Sequence, residues 1–230
     1  MITSPPDVFV VIPAYNESKS LAAVAAPVAA AGYAVVVVDD GSQDDTWNVL
    51  ETLPVRRLRH PINLGQGAAL KTGMVYALRH DAKIVIHFDA DGQHDYRQIP
   101  ELIEPIEKGE ADIVLGSRFL RAHDRNMVPS VKRAILRIGV LASWMASGMW
   151  LSDTHNGFRA LSRRALETIR LHENGFAHAT EILSEIRRNN LRCVERPVTI
   201  SYSQYSMAKG QSTLNSLNIV IDLAMRRLFR

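Results

Sequence analysis

The chain of 230 residues contains a single cysteine, Cys193. No disulfide can form within it, and that usage fits a reducing compartment. Excess charge is also lacking: 27 lysines and arginines stand against 24 aspartates and glutamates, a balance of +3. That is too small to draw the chain to nucleic acid. Met1 to Asp7 lacks the charged-then-apolar order of a secretory leader, so the expected location is the cytoplasm. Long apolar runs are missing too. The longest segment, Ala134 to Leu151, is interrupted by Arg137, two glycines and two serines. Gly139, Ser143 and Ser147 recur every four positions and give it a narrow face of small residues, so it reads as a buried or membrane-grazing helix rather than a span. Internal repeats and low-complexity tracts are absent as well.

What is present centres on Lys83 to Asp95. The segment opens as a short run of β-branched and apolar residues, the signature of a buried parallel strand, and stops abruptly in Asp89-Ala90-Asp91-Gly92-Gln93. Side chains alternate along an extended segment, so Asp89 and Asp91 are expected on one side. Two carboxylates so placed repel unless a cation lies between them, and Mg²⁺ or Mn²⁺ is the natural occupant. A polar strand-to-loop turn is the plainer alternative.

Other acids fall in similar places. Val8 to Ile12 reads as a first strand ended by Pro13, with Ala14-Tyr15-Asn16-Glu17 beyond it. A helix from Ser18 to Ala31 follows, kinked at Pro27. Ala34 to Val38 is a second strand ending in Asp39-Asp40-Gly41-Ser42, and Asp44 or Asp45 caps the helix after it. A third strand is expected over Val55 to Arg59, then a glycine turn at Asn63 to Gly67 and a helix from Ala68 to Arg79. After the Asp89 strand come a helix over Gln98 to Glu107 and a strand over Asp112 to Leu115, leading to Gly116-Ser117-Arg118. This alternation predicts an α/β fold, a mostly parallel sheet flanked by helices with its loops on one edge. Past Arg118 it ceases: Asp153 to Arg159 reads as a polar turn, helices follow near Arg163 to Arg170 and Ala177 to Asn189, then a strand over Cys193 to Tyr202. We expect one domain over residues 1–230, with a nucleotide-sugar half at 1–118. The acceptor-side half, at 119–230, is largely helical and ends in a helix from about Thr213 to the basic stretch Arg226, Arg227 and Arg230.

Acids at three strand ends beside Lys71 and Arg118 suit a ligand with hydroxyl and amide groups plus a strongly anionic part. A nucleotide diphosphate sugar has that anatomy. Asp40 would bond the base or ribose, Asp91 would hold the metal, and Arg118 and Lys209 would steady the departing diphosphate. Several of these residues have plainer readings: Asp39 as a satisfier of backbone amides, Gly65 and Gly67 as turn glycines, the nearby histidines as hydrogen-bonding neighbours, and Glu181 as a helix-surface partner.

Six ordered stretches carry a resemblance: Val11 to Glu17, Val37 to Ser42, Asn63 to Gly67, Asp89 to Gln93, Gly116 to Arg118 and Asn156 to Arg159. Together they resemble the motifs of glycosyltransferase family 2, and within it the polyprenyl (dolichyl) phosphate mannosyltransferase-like enzymes. The resemblance implies the GT-A fold, inversion at the anomeric carbon and an Asp-x-Asp metal site. Carried onto this chain, it implies a donor site of Pro13, Ala14, Tyr15, Asn16, Glu17, Val38, Asp40, Lys71, Asp89, Ala90, Asp91, Arg118 and Lys209. The metal falls to Asp89, Asp91 and Gln93, and the acceptor to Asn156, Arg159 and Ser212.

Members that glycosylate hydroxyl groups commonly carry Glu-Asp on an acceptor-side helix, the Asp acting as base. This chain reads Thr180-Glu181-Ile182. A hydroxyl acceptor needs a base and an ionised phosphate does not, so the missing Asp leans toward a lipid phosphate, with Glu181 or Asp153 as fallback bases. The alternatives are a hydroxyl acceptor on a surface polysaccharide or glycolipid, and a non-catalytic nucleotide-sugar-binding subunit of a membrane complex. Peripheral membrane contact is expected through the C-terminal arginines.

Overall fold

The computed structural model describes residues 7–123, 148–154 and 156–201, with positions 128, 133, 136, 137, 139–141, 144 and 145 between them. The segment expected as a helix from Ala134 to Leu151 lies in large part outside the described residues. Lys209, Ser212 and the C-terminal basic helix lie wholly outside them.

Among the described residues seven strands form one sheet in the order β3-β2-β1-β4-β6-β5-β7. They are β1 (Val8–Ala14), β2 (Ala34–Asp39), β3 (Arg56–Arg59), β4 (Ile84–His87), β5 (Ile113–Ser117), β6 (Arg159–Ser162) and β7 (Cys193–Pro197). The first four pair in parallel, as do β5 and β7, whereas β6 runs antiparallel between β4 and β5. Alternation along β1 feeds two cores. Val10, Ile12 and Ala14 pack on one face against helices α1 (Leu21–Ala30), α2 (Thr46–Glu51) and α4 (Ile99–Glu107). Phe9 and Val11 pack on the other against α3 (Gln66–Arg79), α5 (Arg163–Thr168) and α6 (His178–Arg188). Each fully buried aliphatic chain in these layers contributes roughly 1.5–3 kcal/mol.

Two local outcomes differ from the sequence expectation, at Pro13 and at β6, while the expected helix runs on through Pro27. Pro13 lies inside β1 rather than ending it, paired with Val38. Ala14 O accepts from Asp40 N on the β2 side, and Val11 O from Phe88 N on the β4 side. The missing N–H of Pro13 therefore points toward β4, whose pairing has already ended at Val11 and His87. Pro27 sits within α1 without breaking it. Ala23, whose carbonyl loses its helical donor there, is exposed and can bond to water. Strand β6 falls between the expected polar turn and the expected helix, where no strand was anticipated. Arg-Ala-Leu-Ser has no β-branched residue, and it is held as a strand by neighbours on both sides.

Helix α3 approaches the sheet closely because Gly73 faces β1. A Cβ there would stand 2.2 Å from Val11 Cγ1. Gly73→Ala should destabilise the chain by about 1–3 kcal/mol through overpacking, measurable as a lowered denaturation midpoint with an unchanged slope.

Candidate active site

The parallel strands β1 to β4 end on one edge of the sheet, and their loops carry the acids. Strand β4 stops at His87. Asp89 to Asp91 therefore lie in a turn closed by Gly92 at φ 75°, not in an extended segment. The two carboxylates are nevertheless electrostatic neighbours, and Glu17 adds to their field. Asp89 is held firmly. Gln66 Nε2 donates to its Oδ1 at 2.9 Å, and His94 Nε2 meets its Oδ2 at 3.1 Å. Gly157 leaves the space it fills, since a Cβ there would lie 2.2 Å from Asp89 Oδ2. The His94 ring is fixed between Phe88 and Phe158, with centroids 5.4 and 5.0 Å away.

Beneath the acids lies a buried polar layer. Arg159, 3 % exposed, stands opposite His87 in the β4–β6 register. Burial first, and then Arg159, push His87 down to about 3; the same two causes push His178 to about 4. Both rings are therefore neutral near pH 7. Burial lowers Arg159 itself, while the charges of Asp89 and Asp153 pull the other way. Burial works against ionisation of Asp89, but the His94 contact and the Arg159 charge outweigh it and hold this carboxyl below its ordinary value. Asp91 is different. Burial, followed by the charge of Asp89, raises it to about 6, with Glu17 adding to the rise. Its Oδ1 accepts from Gln93 N at 3.0 Å.

This imbalance is the test of fit for a metal. Three acids share a field that keeps one of them partly protonated, so a cation there is favoured. Among the described residues no three His, Cys, Asp or Glu side chains converge on one point. A hard dication held by one or two carboxylates, with water and diphosphate oxygens completing its shell, matches that donor set.

On the nucleotide side, Pro13, Ala14 and Val38 are buried at the strand ends and Tyr15 is exposed. Asn16, at φ 54°, ties its loop to the β2 loop: its N donates to Ser42 Oγ and its Oδ1 accepts from Gln43 N. Asp40, expected on base or ribose, is occupied internally. It accepts from Leu64 N and Gly65 N at 3.0 and 2.7 Å and meets His60 Nδ1 at 2.6 Å. Asp39 keeps its Oδ1 on Ser42 N and lies 3.1 Å from Arg59 Nε, but its Oδ2 accepts no hydrogen bond.

The other expected residues differ in exposure and in partners. Lys71 is exposed on α3 and lines a groove with Leu58, Val75 and Tyr76. Arg118 is buried and forms a two-pronged pair with Asp153 at 2.6 and 2.7 Å. Glu195 in turn accepts from Ser152 N and Asp153 N. Asp153 is thus a partner of Arg118 rather than a base awaiting a proton. Glu181 accepts from His172 N and Glu173 N at 3.0 and 2.9 Å, which makes it an anchor of the loop before α6. Asn156 and Arg159 are internal supports: Asn156 Oδ1 accepts from Phe158 N, and its carbonyl from Arg159 Nε. Gln66 was not anticipated. Its signal was its place between two glycines, Gly65 at φ 106° and Gly67, whose Cβ would stand 2.2 Å from Glu173 O.

A sheet of this order, acids at the ends of its parallel strands, defines a GT-A glycosyltransferase fold. A crystal structure of glucosyl-3-phosphoglycerate synthase from Mycobacterium tuberculosis, with Mn²⁺, uridine diphosphate and glucosyl-3-phosphoglycerate, shares it. Its TM-score is 0.69 at 18% identity, covering 95% of this chain and 80% of that one. The Glycosyl transferase family 2 profile matches residues 9–170, and the chain belongs to that family: it is a glycosyltransferase. An uncharacterised protein of Methanocaldococcus jannaschii is 33% identical, with 97% of this chain and 93% of that protein covered. The UDP-N-acetylglucosamine–dolichyl-phosphate N-acetylglucosaminyltransferase of Methanococcus voltae is 29% identical, with 96% of each covered.

Two outcomes follow from this geometry. Asp153→Asn leaves Arg118 buried against a neutral partner and should cost about 3–5 kcal/mol of stability, read by chemical denaturation. Asp91 gives a pH dependence. Between its ordinary value of 3.8 and about 6 the folded chain keeps a proton that the unfolded chain has released, so stability falls as pH rises through that window. Asp91→Asn cannot ionise. Without divalent metal it should be more stable than the parent above pH 6 by on the order of 1–3 kcal/mol, a gain that fades by pH 4 and is read by thermal melts across pH.

Proposed function

We propose that the chain is a metal-dependent, inverting transferase that moves a sugar from a nucleotide diphosphate sugar to a polyprenyl phosphate at the cytoplasmic face of a membrane. The observation that carries the acceptor is the state of the acceptor-side carboxylates. Glu181 is spent on two backbone amides and Asp153 on Arg118. Neither stands ready to take a proton from a hydroxyl. A phosphate monoester arrives ionised and needs no base. The Methanococcus voltae relative, whose name gives a dolichyl-phosphate acceptor, supports the same reading.

In this reading the nucleoside end lies against Pro13, Ala14, Tyr15, Asn16 and Val38, with Asp40 bracing the loop behind it. Ala90 meets the donor through its backbone. Asp91, with Asp89 and Gln93 beside it, would hold the cation, and the neighbour crystallised with Mn²⁺ and uridine diphosphate favours Mg²⁺ or Mn²⁺ there. When bound, that ion supplies positive charge against the diphosphate as negative charge builds on it. The acceptor phosphate oxygen attacks the anomeric carbon from the face opposite the leaving group. The new carbon–oxygen bond forms as the bond to the diphosphate breaks, which inverts the configuration. Gln66, His94 and Arg159 keep Asp89 in place while this occurs, and Arg118, steadied by Asp153, stands on the phosphate side.

Stability screens with UDP, GDP, dTDP and CDP sugars, with and without Mn²⁺, should give a metal-dependent rise for one donor class. With that donor and a short-chain polyprenyl phosphate, Glu181→Gln should keep activity within a few-fold of the parent, while Asp91→Asn should lose about 10²–10³-fold. Transfer only to a hydroxyl acceptor, with loss of activity in Glu181→Gln, overturns the reading. The anomer formed is read by NMR.

A further inference from the structure

His60 follows β3 and has no part in the proposed chemistry, yet it is 8 % exposed and tied at three points. Its backbone N–H donates to Asp39 O at 2.9 Å. Its Nδ1 lies 2.6 Å from Asp40 Oδ1, and its Nε2 lies 2.9 Å from Thr72 Oγ1. One buried residue thus joins the end of β2, the end of β3 and the second turn of α3.

The partners decide where the ring proton sits. Both oxygens of Asp40 accept backbone N–H groups, from Leu64 and Gly65, so this carboxylate meets the ring as an acceptor and Nδ1 carries the proton. In the neutral ring Nε2 is then a lone pair, and the Thr72 hydroxyl is the donor that fills it.

What Asp40 holds leads on to the acids of the site. Gly65 gives Asp40 its N–H at φ 106°. The next residue, Gln66, opens α3 and donates from Nε2 to Asp89 Oδ1 at 2.9 Å. The two loops are in close contact, since a Cβ on Gly41 would stand 2.5 Å from the carbonyl carbon of Ile62. Hydrogen bonds therefore run from Thr72 through His60 and Asp40 to Gly65, and one peptide further to Gln66 and Asp89. Thr72 and Gln66 belong to one helix, so the path closes on itself. The ring fixes α3 against the strand ends, and the helix presents Gln66 to Asp89.

We infer that His60 and Thr72 are a positioning pair for the candidate metal site, setting through Asp40 and the start of α3 where Gln66 meets Asp89. The inference rests on the proposed function for the place of Asp89 beside the cation. Without the Thr72 hydroxyl, Nε2 is left with no donor and the ring is free to turn or to move its proton between nitrogens. Asp40 then loses its side-chain donor, the turn at Leu64 and Gly65 slackens, and Gln66 loses its aim. Groups that stand behind a metal-binding side chain govern affinity by about 10–100-fold. A pair one step farther back acts at the lower end of that range.

Thr72→Val keeps the shape of the side chain without its hydroxyl, and Thr72→Ser keeps the hydroxyl. Mn²⁺ binding is titrated by loss of the free-ion EPR signal, with whichever of UDP, GDP, dTDP or CDP most raises the melting temperature of the parent. Thr72→Val should weaken Mn²⁺ binding by about ten-fold, and Thr72→Ser should match the parent. In the metal-free chain, nitrogen–proton correlation NMR should show His60, identified by its absence from His60→Gln, as the Nδ1–H form in the parent and in Thr72→Ser, and as a mixture in Thr72→Val. In a Gln66→Ala background Thr72→Val should cost nothing further, because both changes act through one contact. Should Thr72→Val fail to fold, His60→Asn, which keeps an N–H toward Asp40 and drops the tie to Thr72, takes its place in the same cycle. Unchanged Mn²⁺ affinity, or losses that add in full to those of Gln66→Ala, overturns the positioning pair. A parent that binds no Mn²⁺ overturns the metal of the proposed function alone. The pair is then judged by the same cycle in the affinity for the diphosphate, where coupled losses support it and additive losses overturn it.

Discussion

Among the described residues, the negative charge of Asp89, Asp91 and Glu17 exceeds the positive charge set against it, and the rest of the site is fitted to that condition. Asp89, Asp91 and Glu17 share one field, and Arg159 is the cation set in the buried layer behind them. It reaches that place because β6 is inserted beside β4, which puts Arg159 opposite His87. The two histidines nearby carry no charge near pH 7, so they add none to the balance. One arginine compensates Asp89 through the protein, while Asp91 is left with excess negative charge at the mouth. A site built in this way is poor at holding its own ionised state, which is the electrostatic ground for the cation in the proposed function.

The supports around the acids are rigid for identifiable reasons. His94 cannot turn between Phe88 and Phe158, and Gly157 leaves room for Asp89 and for nothing larger. Its neighbour Gln93 is tied through its carbonyl to Ser201 N, and His94 bridges to Ile200. The turn with the acids is thereby fastened to the chain leaving β7. On the far side, Glu195 steadies Asp153 and Asp153 steadies Arg118. Carboxylates that looked like chemistry in the sequence are thus partly framework, and the division between the two depends on which oxygens are already bonded.

Much of this arrangement was legible beforehand. Strands β1, β2 and β4 announce themselves as β-branched runs that end in acids, and the ordered motifs located both the edge and the fold. The difficulties were contacts between distant segments. The accepting role of Asp40 depends on Leu64 and Gly65, twenty-four and twenty-five residues away, and no local pattern reports it. Lys71 lines a groove with Leu58 of β3. Strand β6 has too little apolar or β-branched content to be recognised alone, because its neighbours supply the pairing that makes it a strand.

The same strand governs how the sheet can be assembled. With β6 seated between β4 and β5, residues 1–118 by themselves contain two strands that never touch each other and whose facing edges await a segment made about forty positions later. A ribosome that has released β5 still holds an open gap in the middle of the sheet. The stretches before and after Arg118 are therefore not separate units of folding, and an early fragment exposes edges prone to pairing with other chains.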